Sequence, residues 1–335
     1  MRKYKWGTEH MKTLETMDKS YYKQGDKQTL VNIFKDDETH ETQEMKVKSW
    51  VSKLLKADEK YICNIERLGG RTNKSFKVTV HNEDFVVRFP GKGTDEFIDR
   101  NNEKYNAQIA YDLGLDSETM YFDSKTGFKI CRYIKGAETL NKGSGKEIDN
   151  IRLMAEGLRT LHCSRKVFKS DFNPFKSINF YERALEEVIG EVSQEYKKVK
   201  AQCMALETKL KRLGIHKVPC HIDPLPENFI KVGQDRIYVI DWEYSGNYDA
   251  VWDLAAVCLE CNFTKVEEEE LLKSYFKGIN IEEEKAICEK ISIYKIVQDM
   301  FWCTWAAAKA ARGDDYLIEY SKFKFERVQK MLKEK

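Results

Sequence analysis

The sequence predicts an α+β protein in two parts, a small antiparallel sheet followed by a larger, mainly helical region. Three observations predict it. Phe76, Val78 and Val80 alternate with polar residues, and after a turn at His81 to Glu83 the alternation resumes at Phe85, Val87 and Phe89, as in two paired strands. From Ile148 onward the apolar period becomes helical, through Ile151, Met154, Leu158 and Leu161 to His162. The 335 residues suffice for two packed domains.

The elements follow in order. Residues 1–45 are polar and charged, with the tract Lys35 to Glu41, and read as an extension with one or two short helices and no assignable function. Val47, Trp50, Val51, Leu54 and Leu55 fall at helical spacing and predict a helix from Gln43 to Leu55. Ile62 to Leu68 is a first strand, ahead of the two already named, and a helix is predicted from Glu96 to Leu113. Ile130 to Ile134 is a further strand that would lead into a hinge. The glycines from Gly136 to Gly145 read as a loop, residues 178–213 as one or two long charged helices, and the acidic run Glu267 to Glu270 as a solvated helix start. The resulting division is an extension at 1–45, a small-sheet part at 46–136 and a mainly helical part at 137–335.

Composition excludes several function classes. Lys+Arg number 57 and Asp+Glu 55, a net charge of +2, so neither nucleic acid nor an anionic membrane is an expected partner. No run approaches the ~18 consecutive apolar residues of a membrane span, and the start lacks the apolar region of a signal peptide. Nine scattered cysteines fit a reduced, cytoplasmic setting. Cys258-Leu259-Glu260-Cys261 is a lone C-x-x-C in an apolar, helix-like run; without a second pair at zinc spacing, it reads as two buried thiols.

The chemistry is concentrated in Cys220-His221-Ile222-Asp223-Pro224-Leu225-Pro226-Glu227-Asn228, followed by the strand Arg236 to Ile240 and then Asp241. The pattern H-x-D-x-x-x-x-N, strand, D supplies one carboxylate to orient a substrate hydroxyl. It also supplies an amide and a second carboxylate, Asn228 and Asp241, to hold magnesium. Phosphoryl transfer demands mainly positioning and charge neutralisation, so this set suits a kinase-like phosphotransferase. A polar turn before a hairpin would also use Asp223 and Asn228, but the strand and Asp241 directly after them favour the chemistry.

Upstream, Leu68-Gly69-Gly70-Arg71-Thr72-Asn73 lies between two strands. Such glycines let backbone amides approach phosphates, and an ordinary glycine turn fits equally well. Arg88 sits mid-strand on the face opposite Phe85, Val87 and Phe89, where a charge needs a partner. Glu103 in the next helix is the candidate, which would hold Arg88 toward nucleotide phosphates. An exposed edge-strand arginine is the plainer alternative.

Trp302 and Trp305 share a helix face, and Tyr320 follows on a later segment. Together with acidic Asp299 or Glu260 they would box a quaternary ammonium, at about 0.5–2 kcal/mol per cation–π contact. An aromatic stripe at this spacing also serves as helix-packing core.

From about residue 46 to the C-terminus these motifs resemble the choline/ethanolamine kinases, the bacterial choline kinases most closely, in a superfamily that includes the aminoglycoside phosphotransferases. The resemblance rests on Gly69-Gly70-Arg71-Thr72-Asn73, on Val87-Arg88-Phe89-Pro90-Gly91 with Arg where kinases carry Lys, and on Glu103. It rests most strongly on Leu225 to Ile230, Ile240 to Gly246 and Trp252-Asp253-Leu254-Ala255-Ala256. It implies a bilobal protein-kinase-like fold, with a small antiparallel-sheet N-lobe and a larger helical C-lobe. It implies ATP and Mg²⁺ as co-substrate and cofactor, with Gly69, Gly70, Thr72, Asn73, Arg88 and Glu103 at the nucleotide. Asp223 would face the hydroxyl, Asn228 and Asp241 would ligate magnesium, and Tyr244, Glu260, Trp302, Trp305 and Tyr320 would surround choline. Ile222 and Pro224 depart from the family's usual residues, and one tyrosine of the eukaryotic cage has no match near Phe263 to Lys265. The expected activity is phosphorylation of choline to phosphocholine. The alternatives are a kinase for ethanolamine, thiamine or an aminoglycoside, and a non-catalytic small-molecule-binding protein on the same fold. An aminoglycoside would call for an acidic groove rather than tryptophans.

Overall fold

The computed structural model describes residues 39–69, 73–91, 96–278 and 281–334. Residues 1–38 of the expected extension, and Gly70, Arg71 and Thr72 of the glycine loop, lie outside the described residues. The chain divides into two units: residues up to Tyr111 with Asp116–Lys135, and Asp112–Leu115 with Gly136–Lys335.

In the first unit, helix α1 (His40–Leu55) begins where the Thr39 hydroxyl accepts the Thr42 N–H, a standard N-terminal cap. Strands β1 (Ile62–Arg67), β2 (Lys74–Val80), β3 (Glu83–Phe89), β4 (Thr119–Phe122) and β5 (Lys129–Arg132) form an antiparallel sheet in the order β1-β2-β3-β5-β4. His81 and Asn82 join β2 to β3 with φ of 48° and 66°, so this two-residue turn matches the twist of the flanking strands. Phe85, Val87 and Phe89 bury one sheet face against Val47, Val51 and Leu54 of α1. Each such side chain contributes about 1.5–3 kcal/mol on full burial.

Several expectations need correction. β3 lies at the centre of the sheet and Arg88 is buried, so Arg88 is not an exposed edge residue. The helix expected from Glu96 to Leu113 is α2 (Arg100–Asp112). It starts late because the Asp99 carboxylate accepts the N–H groups of Asn101 and Asn102 and so fixes the first turn. Strand β4 has too little apolar alternation to stand out in the sequence, and β5 begins and ends earlier than Ile130 to Ile134.

The second unit contains a three-stranded antiparallel sheet of β6 (Ala137–Thr139), β8 (Phe229–Val232) and β9 (Arg236–Val239), in the order β6-β8-β9. Strand β7 (Lys217–Cys220) pairs with β10 (Gly246–Asp249). The stretch from Gly136 to Gly145 is therefore not all loop, since its first residues pair with β8. The helices are α3 (Ile148–His162), α4 (Pro174–Ile189), α5 (Gln194–Leu213), α6 (Ala250–Glu260), α7 (Lys265–Phe276), α8 (Ile281–Ala310) and α9 (Leu317–Lys333). The long α8 packs against α4, α5, α6 and α9. Glycine at 157 lets α3 approach β9, because a Cβ there would lie 3.0 Å from a methyl of Ile237. The acidic run opens α7 through a capping box between Thr264 and Glu267. No helix among the described residues is long and apolar enough to cross a membrane.

Candidate active site

In the first unit, the Arg88 guanidinium reaches Glu103 at 2.5 Å, with side-chain exposures of 9% and 1%. Arg88 also donates to the carbonyl of Gly127 at 3.2 Å. Sequence reasoning paired these two residues but missed Arg100, which holds the other oxygen of Glu103 at 2.6 Å. Burial alone would raise the pKa of Glu103, but Arg88, Arg100 and Lys129 outweigh it and hold the carboxyl below its usual range. The arrangement keeps a buried cation fixed in orientation. Beside the glycine loop, the Asn73 side-chain oxygen accepts the N–H of Gly91 at 3.3 Å. Gly69 is described; Gly70 and Thr72 are not.

In the second unit, β7 delivers the chain to His221, Ile222 and Asp223. Ile222 has φ of 74°, a left-handed backbone that a β-branched residue rarely adopts. Such strain, about 1–3 kcal/mol, persists only where surroundings over-determine it. Here they do. The buried Asp253 of α6 accepts the N–H of His221 at 2.7 Å and that of Ile222 at 2.9 Å, one on each carboxylate oxygen. The Trp252 indole donates to the Ile222 carbonyl at 2.9 Å. His162 of α3 bridges Asp253 at 3.0 Å and the Tyr275 hydroxyl of α7 at 2.8 Å. His162, Cys220 and Asp253 lie close enough together to suggest a metal site. These hydrogen bonds already account for the histidine and the carboxylate, and burial pushes the Cys220 thiol up, away from the ligating thiolate.

After Asp223 a short 3₁₀ turn, Pro226–Asn228, carries Asn228, whose amide donates to the Asp223 carbonyl at 2.9 Å. That bond assigns the amide nitrogen and leaves the side-chain oxygen directed elsewhere. The Asn228 carbonyl accepts the N–H of Ile240, which ties the loop to the end of β9 beside Asp241. His221 reaches the Ile240 carbonyl at 2.9 Å from the other side. Asp241 itself has a left-handed backbone, φ 70°. The Asp223 carboxyl is pushed well above the usual range, first by burial, then by the charges of Asp241, Glu260 and Glu243; Lys324 opposes the rise. This is a crowd of carboxylates that a bound cation would relieve.

Of the expected aromatic residues, Tyr244, Trp302 and Trp305 meet in the same unit. Tyr244 follows Asp241 on a 3₁₀ turn, and its ring centroid lies 5.2 Å from that of Trp302 and 6.4 Å from that of Trp305, edge to face. The two tryptophans are 5.4 Å apart. Burial raises the Tyr244 phenol well above its usual range, and the charges of Glu243, Asp223 and Asp241 add to the rise. Tyr320 of α9 is pushed up in the same way by burial, with Glu260 and Asp223 contributing. Both tryptophans are buried, so they serve as packing and as part of a cluster. Glu260 does not stand alone: it pairs with Lys324 at 2.5 Å and Arg327 at 3.3 Å. The C-x-x-C thiols are buried at the end of α6, and burial raises that of Cys261 to about 12.

Comparison with known proteins fits this geometry. The family model for choline/ethanolamine kinase matches residues 65–331. The crystal structure of the choline kinase LicA from Streptococcus pneumoniae is 38% identical, covering 88% of this chain and 99% of that one, with a TM-score of 0.76. A structure of LicA in complex with AMP is 38% identical over 89% of this chain and 99% of that one, with a TM-score of 0.73. Protein LicA of Haemophilus influenzae strain KW20/Rd is 28% identical over 78% of this chain and 99% of its own length. The expected kinase-like fold class therefore holds. The chain belongs to the choline/ethanolamine kinase family and is a kinase.

Proposed function

We propose that this kinase transfers the γ-phosphoryl group of ATP to the hydroxyl of choline, with magnesium, giving phosphocholine. The observation that supports this most is the grouping of Tyr244, Trp302 and Trp305 in the unit that carries the Asp223 loop. Rings around a compact cation suit a trimethylammonium head, which offers no N–H for a hydrogen bond. In this reading Asp223 orients the hydroxyl and takes its proton. Asn228, through its amide oxygen, and Asp241 would hold magnesium; hard oxygen donors beside crowded carboxylates fit a hard dication. When bound, the metal neutralises charge on the transferring phosphates. Residues 46–136 form the nucleotide part, where Arg88, held by Glu103, would contact phosphates with Gly69, Gly70, Thr72 and Asn73. Residues 137–335 form the substrate part.

An assay of ADP release over choline, ethanolamine, thiamine and aminoglycosides tests the reading. Choline is expected to give the highest kcat/KM, and ADP release with an aminoglycoside but not with choline would reject it. A single variant then separates cage from core. Trp305→Ala should raise the choline KM about 2- to 30-fold with a much smaller change for ATP, as the loss of one cation–π contact predicts. Equal choline KM values with a stability loss of about 3–5 kcal/mol would assign Trp305 to packing alone.

A further inference from the structure

Three helices meet in a closed group of four charges. Glu260 ends α6, Asp299 lies on α8, and Lys324 and Arg327 are one turn apart on α9. Lys324 bonds Glu260 at 2.5 Å and Asp299 at 3.1 Å. Arg327 grips Asp299 through Nε and through Nη2, the latter at 2.6 Å, and reaches Glu260 at 3.3 Å. Lys324 is 1% exposed and Asp299 is fully buried. Burial would pull the Lys324 ammonium down, but Asp299 and Glu260 reverse this and keep it charged; the Glu260 carboxyl is likewise held low against burial by Lys324 and Arg327. The group adjoins the aromatic cluster, because Asp299 lies one turn before Trp302 on α8 and the Lys324 ammonium sits 5.2 Å from the centre of the Tyr320 ring.

The two acids are thus spent on internal cations. A primary ammonium is strongly hydrated, and stripping its water requires carboxylates with charge to spare. A quaternary ammonium has no N–H to satisfy and gains from aromatic faces alone. We propose that Lys324 and Arg327 are specificity-determining residues, which cancel Glu260 and Asp299 and so tune the site toward a quaternary rather than a primary ammonium head. The inference rests on the reading of the substrate as an amino alcohol held by the aromatic cluster.

The test measures kcat/KM for choline and ethanolamine, with KM for ATP, in wild type, Lys324→Met and Lys324→Met/Glu260→Gln. Lys324→Met leaves one carboxylate charge uncancelled. The choline-to-ethanolamine preference should fall about tenfold, through a lower ethanolamine KM, as one unscreened charge in a partly buried site implies. The double variant is neutral again and should return most of the preference, which a merely structural role for Lys324 would not do. If Lys324→Met fails to fold, Arg327→Met removes the same charge from a more exposed position and carries the same expectation. A folded single variant with unchanged preference, or a double variant that stays as permissive as the single one, overturns the proposal. A wild-type enzyme that turns over neither amino alcohol would instead overturn the substrate reading, and the proposal with it.

Discussion

Asp223→Ala is expected to lower kcat about 10²- to 10⁴-fold, the range for loss of a positioned general base, with a melting temperature no lower than that of wild type. The two halves of that expectation come from one arrangement. The Asp223 side chain is crowded by Asp241, Glu260 and Glu243, so its removal relieves repulsion. The loop around it is held by backbone contacts to Asp253 and by Trp252, which the substitution leaves in place. The choline and ATP KM values should change only a few-fold if, as proposed, the lost group acts on the reacting hydroxyl. Steady-state kinetics with a thermal melt check this. Turnover near wild type would remove Asp223 from the chemistry.

Asp253→Ala should have the opposite balance. The carboxylate accepts two backbone N–H groups and faces His162 in a fully buried setting. Deleting it strands three polar groups, and breaking such a buried network costs about 3–5 kcal/mol. It also frees Ile222 from its strained backbone, so Asp223 loses its position and kcat falls in whatever protein remains folded. Asp253→Asn keeps the shape but one acceptor becomes a donor facing an N–H, so it should fall between alanine and wild type. Denaturant melts alongside kcat distinguish the cases. Wild-type stability in the alanine variant would show that the loop holds itself.

Much of this site can be read along the chain because its parts are close in sequence. Asp223, Asn228 and Asp241 occupy one loop–strand–loop segment, and the alternation in β2 and β3 marks a sheet with one face buried. Arg88 and Glu103 could be paired because a mid-strand charge demands a partner. The Trp252–Ala256 motif is visible in the sequence, but the role of Asp253 is not, because roles that act through long-range or backbone contacts leave no pattern along the chain. Asp253 accepts main-chain N–H groups some thirty residues away, and main-chain donors leave no residue-type signature. His162 and Tyr275 meet across more than a hundred residues. Lys324 and Arg327 stand among other charged residues of α9, where nothing in the pattern sets them apart from a solvated face. Arg100 likewise reads as an ordinary helix-start charge, although it completes the pairing of Glu103.

The four-charge group also changes what the last helix is for. Terminal helices ordinarily fray, since few contacts tie them down. Here unwinding α9 past Lys324 would strand Glu260 and the fully buried Asp299 without their cations, a far larger penalty than the loss of a few helical hydrogen bonds. The C-terminal segment is therefore locked to the end of α6, where Glu260 lies, and to α8 next to the tryptophans. Shortening the chain from this end would not trim a dispensable tail. It would break the ion group that joins α9 to α6 and α8.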